Sequence, residues 1–423
     1  MKVRFRIRPA RLLSGVAIAG LAAALAAGEL LDRRESDGRD REEVARMTNN
    51  SKTLCVGRFL IDLPADAQVT WLGTRIDRLD IDAFDESAED FRERLSARQK
   101  DIEATPDRHG GPNNLESVRE LATADGMQGK MFVHGREVTD GWALNGLDRA
   151  YFRYENVAIE AMIHGQGVSV DLVASSCNPA NIDDLPRLVS RIVPNPGRGA
   201  PTTPGFCLQN IHVRAPLTAD QNESASVAAY LPSHPDVGFQ LMVMAGLKPN
   251  DRTLLERSAE SSLLFSLLQR ARTHRIRGNQ RTLSGLVGDE PARCFIENEG
   301  IARYSFWWEF NGKEGDVMAP RFSLTMLTGT GANGPVPSSL SETAASALWD
   351  RVVSSIRHRP VGMPPRPMDK PDVAAPGAQA LTGESCVQAR CARAAVRAAP
   401  IQPHTSWKPM RHVATQASID APA

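Results

Sequence analysis

Residues 53–71 read TLCVGRFLIDLPADAQVTW, and about 150 residues later 205–217 read GFCLQNIHVRAPL. Each stretch holds one Cys, a run with apolar residues at alternate positions, and a Pro. Period-two alternation marks a half-buried strand, and Pro ends it because it has no N–H to give a ladder. Two strands that open alike point to a duplicated fold, and the flanking sequence can be laid out in parallel. A further alternating strand follows each Cys strand. In 78–84, RLDIDAF, Leu79, Ile81 and Ala83 share one face and Asp80 and Asp82 the other, while 237–247 read VGFQLMVMAGL. An amphipathic helix comes next in both. The first is 87–102, SAEDFRERLSARQKDI, with a capping-box pair in Ser87 and Asp90 and with Phe91, Leu95 and Ile102 inward. The second is 250–272, NDRTLLERSAESSLLFSLLQRAR, with Leu255, Leu263 and Leu267 on its stripe.

A meander of strands continues each half, GLDRAYFRYENVAIEAMIHG (146–165) and GIARYSFWWEFNG (300–312). Both halves close on a helix with the ending Val-Ser-x-Ile, at Val189-Ser190 and at Val353-Ser354; Ser339 and Glu342 read as a capping box for the last one. Gly-rich turns and alternation favour antiparallel pairing. The expected class is α+β, with two similar lobes, each a mainly antiparallel sheet with helices packed on one face.

Composition sets the boundaries. Residues 29–52 are charged and non-periodic, which reads as a spacer. Pro and Gly concentrate around 196–204, which reads as a linker. From 361 to 423 the chain is rich in Pro and Ala, a tail with little to build a core from. Two bodies remain, 53–195 and 205–360. The 423 residues carry 50 Lys plus Arg against 50 Asp plus Glu. A balance of zero argues against nucleic acid as the partner, because phosphate binding needs a basic surplus.

At the N-terminus Lys2, Arg4, Arg6, Arg8 and Arg11 precede an uncharged run from Leu12 to Gly28. Charged and apolar regions in this order make 1–28 an export signal, with Ala24-Leu25-Ala26 as a cleavage site, or else a retained membrane anchor. Either places the body outside the cytoplasm, where disulfides persist. Of the six Cys, the pairs expected within each half are Cys55–Cys177 and Cys207–Cys294; Cys386 and Cys391 fall in the tail. No C-x-x-C or zinc-type His spacing is present, so no metal site or cofactor is expected.

The catalytic templates fail. Gly167-Val168-Ser169-Val170-Asp171 lacks the second Gly of a nucleophile elbow and lies within a strand. Gly329-Thr330-Gly331-Ala332-Asn333-Gly334 is a formal G-x-G-x-x-G, but Pro335 and Pro337 separate it from the next helix, so it cannot cradle a pyrophosphate. His134, His164 and His212 fall in strands, without a carboxylate relay. Asp80 and Asp82 read as a solvated face. In the meander, Phe306, Trp308 and Phe310 share one face and Ser305, Trp307 and Glu309 the other, with Arg153 at the place of Trp307 in the first half. Trp307 is therefore the partner-binding candidate, against the plainer reading of a Trp covered by a helix.

The segments CVGRFLIDLPADA, FCLQNIHVRAP, GLVGDEPARC and, most specifically, SLSETAASALWDRVVSSIRHRP resemble the two-domain immunity proteins paired with type VI secretion lipase effectors. The resemblance spans about 53–360, with both halves in order. It implies a periplasmic protein, not an enzyme, that binds a cognate phospholipase toxin, clamps it between two lobes and protects the producing cell. The readings from another class are a periplasmic hydrolase with an unfamiliar site and an envelope scaffold.

Overall fold

Strands β1 (Ser51–Val56) and β10 (Gly205–Leu208) carry the two Cys and meet each other. In the computed structural model, which describes residues 36–361 apart from 146–147, 216–221, 264, 298–299 and 333, Cys55 is bonded to Cys207 with Cα atoms 5.8 Å apart. Gly57 and Cys207 exchange backbone hydrogen bonds of 3.0 and 2.8 Å beside that bond. Gly57 has φ +60°, and a Cβ there would stand 3.0 Å from the Phe206 ring, so the close approach needs glycine.

The first half opens with a helix over 36–49, α1, then β1 and β2 (Phe59–Pro64), β3 (Gln68–Ile76) and β4 (Leu79–Asp85). Helix α2 (Ala88–Ala104) leads to β5 (Leu115–Ala122), β6 (Gln128–Asn145), β7 (Asp148–Gly165) and β8 (Val168–Cys177). Helix α3 (Asp184–Val189) and β9 (Ile192–Pro194) close it. The second half repeats the order. After β10 come β11 (Ile211–Arg214), β12 (Glu223–Leu231) and β13 (His234–Ala245), with α4 (Leu254–Leu263) and α5 (Leu267–Ala271) in the place of α2. Strands β14 (Thr273–Leu283), β15 (Leu286–Ile296), β16 (Ala302–Phe310) and β17 (Arg321–Leu327) follow. A small pair, β18 (Thr330–Gly331) and β19 (Gly334–Pro335), precedes α6 (Glu342–Ser354) and β20 (Arg357–His358).

One antiparallel sheet of twelve strands runs β14-β15-β16-β17-β13-β12-β3-β4-β8-β7-β6-β5. Read outward from its middle, each half gives its own long strands in the same order: first, second, sixth, fifth, fourth, third. The first strands of the halves pair antiparallel, Glu223 opposite Ile76 and Tyr230 opposite Gln68, as a local two-fold axis requires. The closing strands are exchanged. β20 of the second half pairs with β2 of the first, and β9 of the first pairs with β11 of the second. The two expected lobes are thus continuous through one sheet and two reciprocal strand exchanges.

This geometry corrects the cysteine pairing. Cys55–Cys177 and Cys207–Cys294 do not form; Cys55 pairs with Cys207, and Cys177 and Cys294 are buried thiols. Equivalent residues face each other across a two-fold axis, so the matching Cys of the two halves meet.

A single apolar cluster runs through both halves, from Val44, Phe59 and Ile76 to Phe322, Leu348 and Trp349. Met131, Val133, Ala161 and Ile163 face it, whereas their neighbours Phe132 and Met162 pack under Phe91 and Ile102 of α2 on the other face of the sheet. Helices therefore lie on both faces: α3 and α6 on the main core, α2 opposite. The expected spacer 29–52 holds α1, which carries only Val44 and Met47 into the core and is tied by Asp40 to Ser341 and by Glu43 to His234 at 2.5 and 3.2 Å. The cap of α6 is Ser341, which accepts from Ala344 N–H, rather than Ser339. The long helix expected at 250–272 is broken, because Ser266 starts a new helix with a capping box to Gln269. Segment 1–28 and the tail from 362, with Cys386 and Cys391, lie outside the described residues.

Candidate functional site

Strands β6 and β7 are 18 residues each, far longer than their neighbours. β5 pairs with β6 only up to His134, and β8 with β7 only from Val157. From Glu137 opposite Asn156 to Asn145 opposite Asp148, the two strands pair only with each other. This leaves a two-stranded arm that projects about 30 Å at the usual rise of a strand. A hairpin with no sheet beneath it has no core to bury apolar groups in. Yet Trp142, Leu144, Tyr151 and Tyr154 are 62%, 76%, 54% and 62% exposed. Trp142 stands opposite Tyr151 with ring centroids 5.4 Å apart, edge to face, and the Arg149 guanidinium lies 5.6 Å from the Trp142 ring. Arg136 and Arg153 both pair with Glu155. Trp142 and Tyr151 lie on one face of the hairpin and Tyr154 on the other, beside Phe152; exposed Trp, Tyr and Arg are the residue types that dominate protein interfaces.

A second apolar patch lies in the other half. The break between α4 and α5 turns Leu263, Leu267 and Leu268 outward, so Leu263 and Leu267, expected inward on a single stripe, are exposed instead. Beside them a groove of about 420 Å³ is lined by Leu255, Ser262, Phe265 and Arg293.

Trp307 is half-buried rather than open. Its indole N–H donates to Ser323 Oγ at 2.7 Å, and Arg257 of α4 lies 5.9 Å from its ring while pairing with the buried Glu309. Arg257 of α4 thus lies against the face that carries Trp307 and Glu309.

His134, His164 and His212 each sit in separate polar surroundings. Ser169 is fully buried and sits between its partners: it donates to Glu86, and His164 Nδ1 lies 3.0 Å from its Oγ. A nucleophilic triad needs the imidazole between hydroxyl and carboxylate. Burial lowers the His164 pKa, and Glu86, held by Arg94 and Ser169, is lowered too. His134 Nε2 is 3.0 Å from Glu160, whose carboxyl Arg98 and His134 hold down to about 2 despite its burial. His212 is buried, and desolvation with Arg359, Arg214 and Arg58 nearby lowers it to about 4. A cavity of about 780 Å³ between α1, β2 and α6 has two carboxylates, and both are already taken. Asp62 pairs with Arg357, and Asp350 with Arg277 and Arg281. Asp80 is exposed and paired with Arg75.

Sequence reasoning missed the arm. Its residues read as one more strand of the meander, and only the equal length of the two strands, paired up to Asn145 opposite Asp148, marks it as a projecting hairpin.

Residues 52–171 match the N-terminal domain of Tle cognate immunity protein 4, and residues 199–361 match the C-terminal domain of that protein. Among solved structures, immunity protein TplEi of the T6SS of Pseudomonas aeruginosa, complexed with a peptide named L, has a TM-score of 0.57 at 20% identity, covering 74% of this chain and 100% of that one. Its apo structure gives 0.58 at 20%, with 74% and 98% covered. The Tle4–Tli4 complex gives 0.59 at 21%, with 74% and 99% covered. At such identities the likeness is one of fold. No curated relative matches the chain. Two domain models of one protein, matched in order and spanning both halves of the continuous sheet, place the chain in the Tle cognate immunity protein 4 family.

Proposed function

We propose that this protein binds a cognate type VI secretion lipase effector in the periplasm and neutralises it stoichiometrically, protecting the cell that makes the toxin. The family membership supports a partner of this kind, and one solved relative of the same fold is a Tle4–Tli4 complex. The observation that carries the reading to particular residues is the free β6–β7 arm with four large apolar side chains in solvent. The α4–α5 patch lies in the other half of the continuous sheet, so a toxin held against both would be gripped by two lobes on one rigid support. Inhibition of this sort needs an interface and no chemistry of its own. Export by segment 1–28 is part of the proposal.

The test is a titration of the purified effector lipase with the full chain, read as lipid hydrolysis. Activity should fall linearly to near zero at one equivalent. Full lipase activity at excess protein, with both partners folded, would refute the assignment.

A further inference from the structure

His274 of β14 lies directly opposite Cys294 of β15, and Cys294 directly opposite Tyr304 of β16. Opposed residues share a sheet face, so the three side chains form a row across neighbouring strands. Glu342, the first residue of α6, comes down on this row. Its Oε2 is 2.8 Å from His274 Nε2. A ring nitrogen of His274, the Cys294 sulfur and a Glu342 carboxylate oxygen all lie within 4.8 Å of one another.

We propose that His274, Cys294 and Glu342 bind one Zn2+ ion and leave the fourth tetrahedral position to water. A thiolate, an imidazole and a carboxylate are a zinc-type donor set, whereas Ca2+ and Mg2+ take oxygen ligands. Zn–ligand bonds of about 2.0–2.3 Å put tetrahedral ligand atoms about 3.3–3.7 Å apart. The His274–Glu342 contact must therefore open by about half an ångström and the sulfur distance close by about 1 Å. The two groups that must move are the exposed ones, with His274 and Glu342 side chains 55% and 43% accessible. Cys294, 2% exposed, is the fixed anchor. As the Sγ–Zn bond forms, the thiol proton passes to solvent, and thiolate plus carboxylate neutralise the dication. That neutrality matters, since the N-terminus of α6 by itself repels a cation. The ion would pin α6 to two strands of the sheet, apart from the arm and independent of toxin binding.

The test uses the full chain, stripped with a chelator and titrated with Co2+ as a spectroscopic stand-in, then with Zn2+. Wild type should take up one ion per chain with a thiolate-to-cobalt charge-transfer band, displaced by Zn2+, and its melting temperature should rise with Zn2+. His274→Ala and Glu342→Gln, both at exposed positions, should each weaken binding about tenfold or more and lose the melting shift. Cys294→Ser should abolish the band. Absence of the band in wild type would overturn the proposal. So would a band that survives in His274→Ala and Glu342→Gln, because it would belong to another thiol such as Cys177.

Discussion

His212 shows how a single residue can couple the fold to pH. It is 2% exposed beneath Arg359, whose guanidinium donates to the carbonyls of Thr203 and Gly205 at 2.7 Å and so pins the 196–204 connection. With a folded pKa of about 4 against an ordinary 6.5, His212 is neutral in the fold and takes a proton more readily when unfolded. The unfolded state therefore binds more protons below pH 6.5, so stability is full above 6.5 and falls as pH drops towards 4, by about 3 kcal/mol for this group. Glu160, with a folded pKa of about 2 against 4.5, adds stability that is present above 4.5 and lost as pH falls through that range. Denaturant midpoints between pH 7 and 4 should decline in wild type and decline less in His212→Asn. An equal decline in both would mean that His212 is not the responsive group. The Cys residues teach a related lesson. The matching positions of Cys55 and Cys207 were legible in the sequence, but their partnership depends on where the two-fold axis lies, and only the assembled sheet fixes that.

Among the elements, strands were easier to read than helices. Period-two alternation located β4 and β13 because apolar side chains on one face fix the register, whereas the single Cys strand expected in each half is a hairpin, β1–β2 and β10–β11, whose second strands are buried on both faces. Helix α1 escaped because its hold is polar, with Val44 and Met47 as its only apolar anchors. The division of 250–272 escaped because a Leu-rich run looks like one stripe until Ser266 caps a second helix within it. Helix α6 is joined to the sheet through Glu290, which is 2% exposed, accepts from the Trp349 indole at 2.6 Å and pairs with Arg281 at 2.9 Å. Glu290→Ala would leave the indole and a guanidinium without their buried acceptor. Arg281 keeps Asp350, so the main loss is the buried indole's acceptor, and chemical denaturation should show a loss of about 1–3 kcal/mol; no change would show that water replaces the carboxylate. The arm should behave oppositely. Trp142→Ala combined with Tyr151→Ala touches no core, so the melting temperature should barely move, and a large drop would mean that the arm packs against the body.

At the level of the whole molecule, the halves are interlocked. Each lends its last strand to the other's hairpin, and the Cys55–Cys207 bond closes a loop spanning 152 residues. On the chain-entropy account such a loop is worth about 5 kcal/mol. Cys55→Ser with Cys207→Ser should therefore lower stability by several kcal/mol, measured as the denaturant midpoint, while keeping the fold. Residues 36–195 and 199–361 expressed separately should each be poorly structured by circular dichroism and gain structure on mixing; two independently folded halves would contradict the exchange. The duplication could be seen in the repeated Cys strands and the shared Val-Ser-x-Ile endings. Strand exchange could not, since β9 and β20 are only three and two residues long and carry no pattern of their own.

The most direct measurement compares effector affinity for wild type and for the Trp142→Ala, Tyr151→Ala double variant by calorimetry, alongside lipase inhibition. If the arm is a principal contact, the variant should keep its fold and bind at least about 30-fold more weakly, a loss of about 2 kcal/mol or more. Inhibition should then require a matching excess. Unchanged affinity and one-to-one inhibition by the folded variant would show that the toxin is held elsewhere, and would contradict the account.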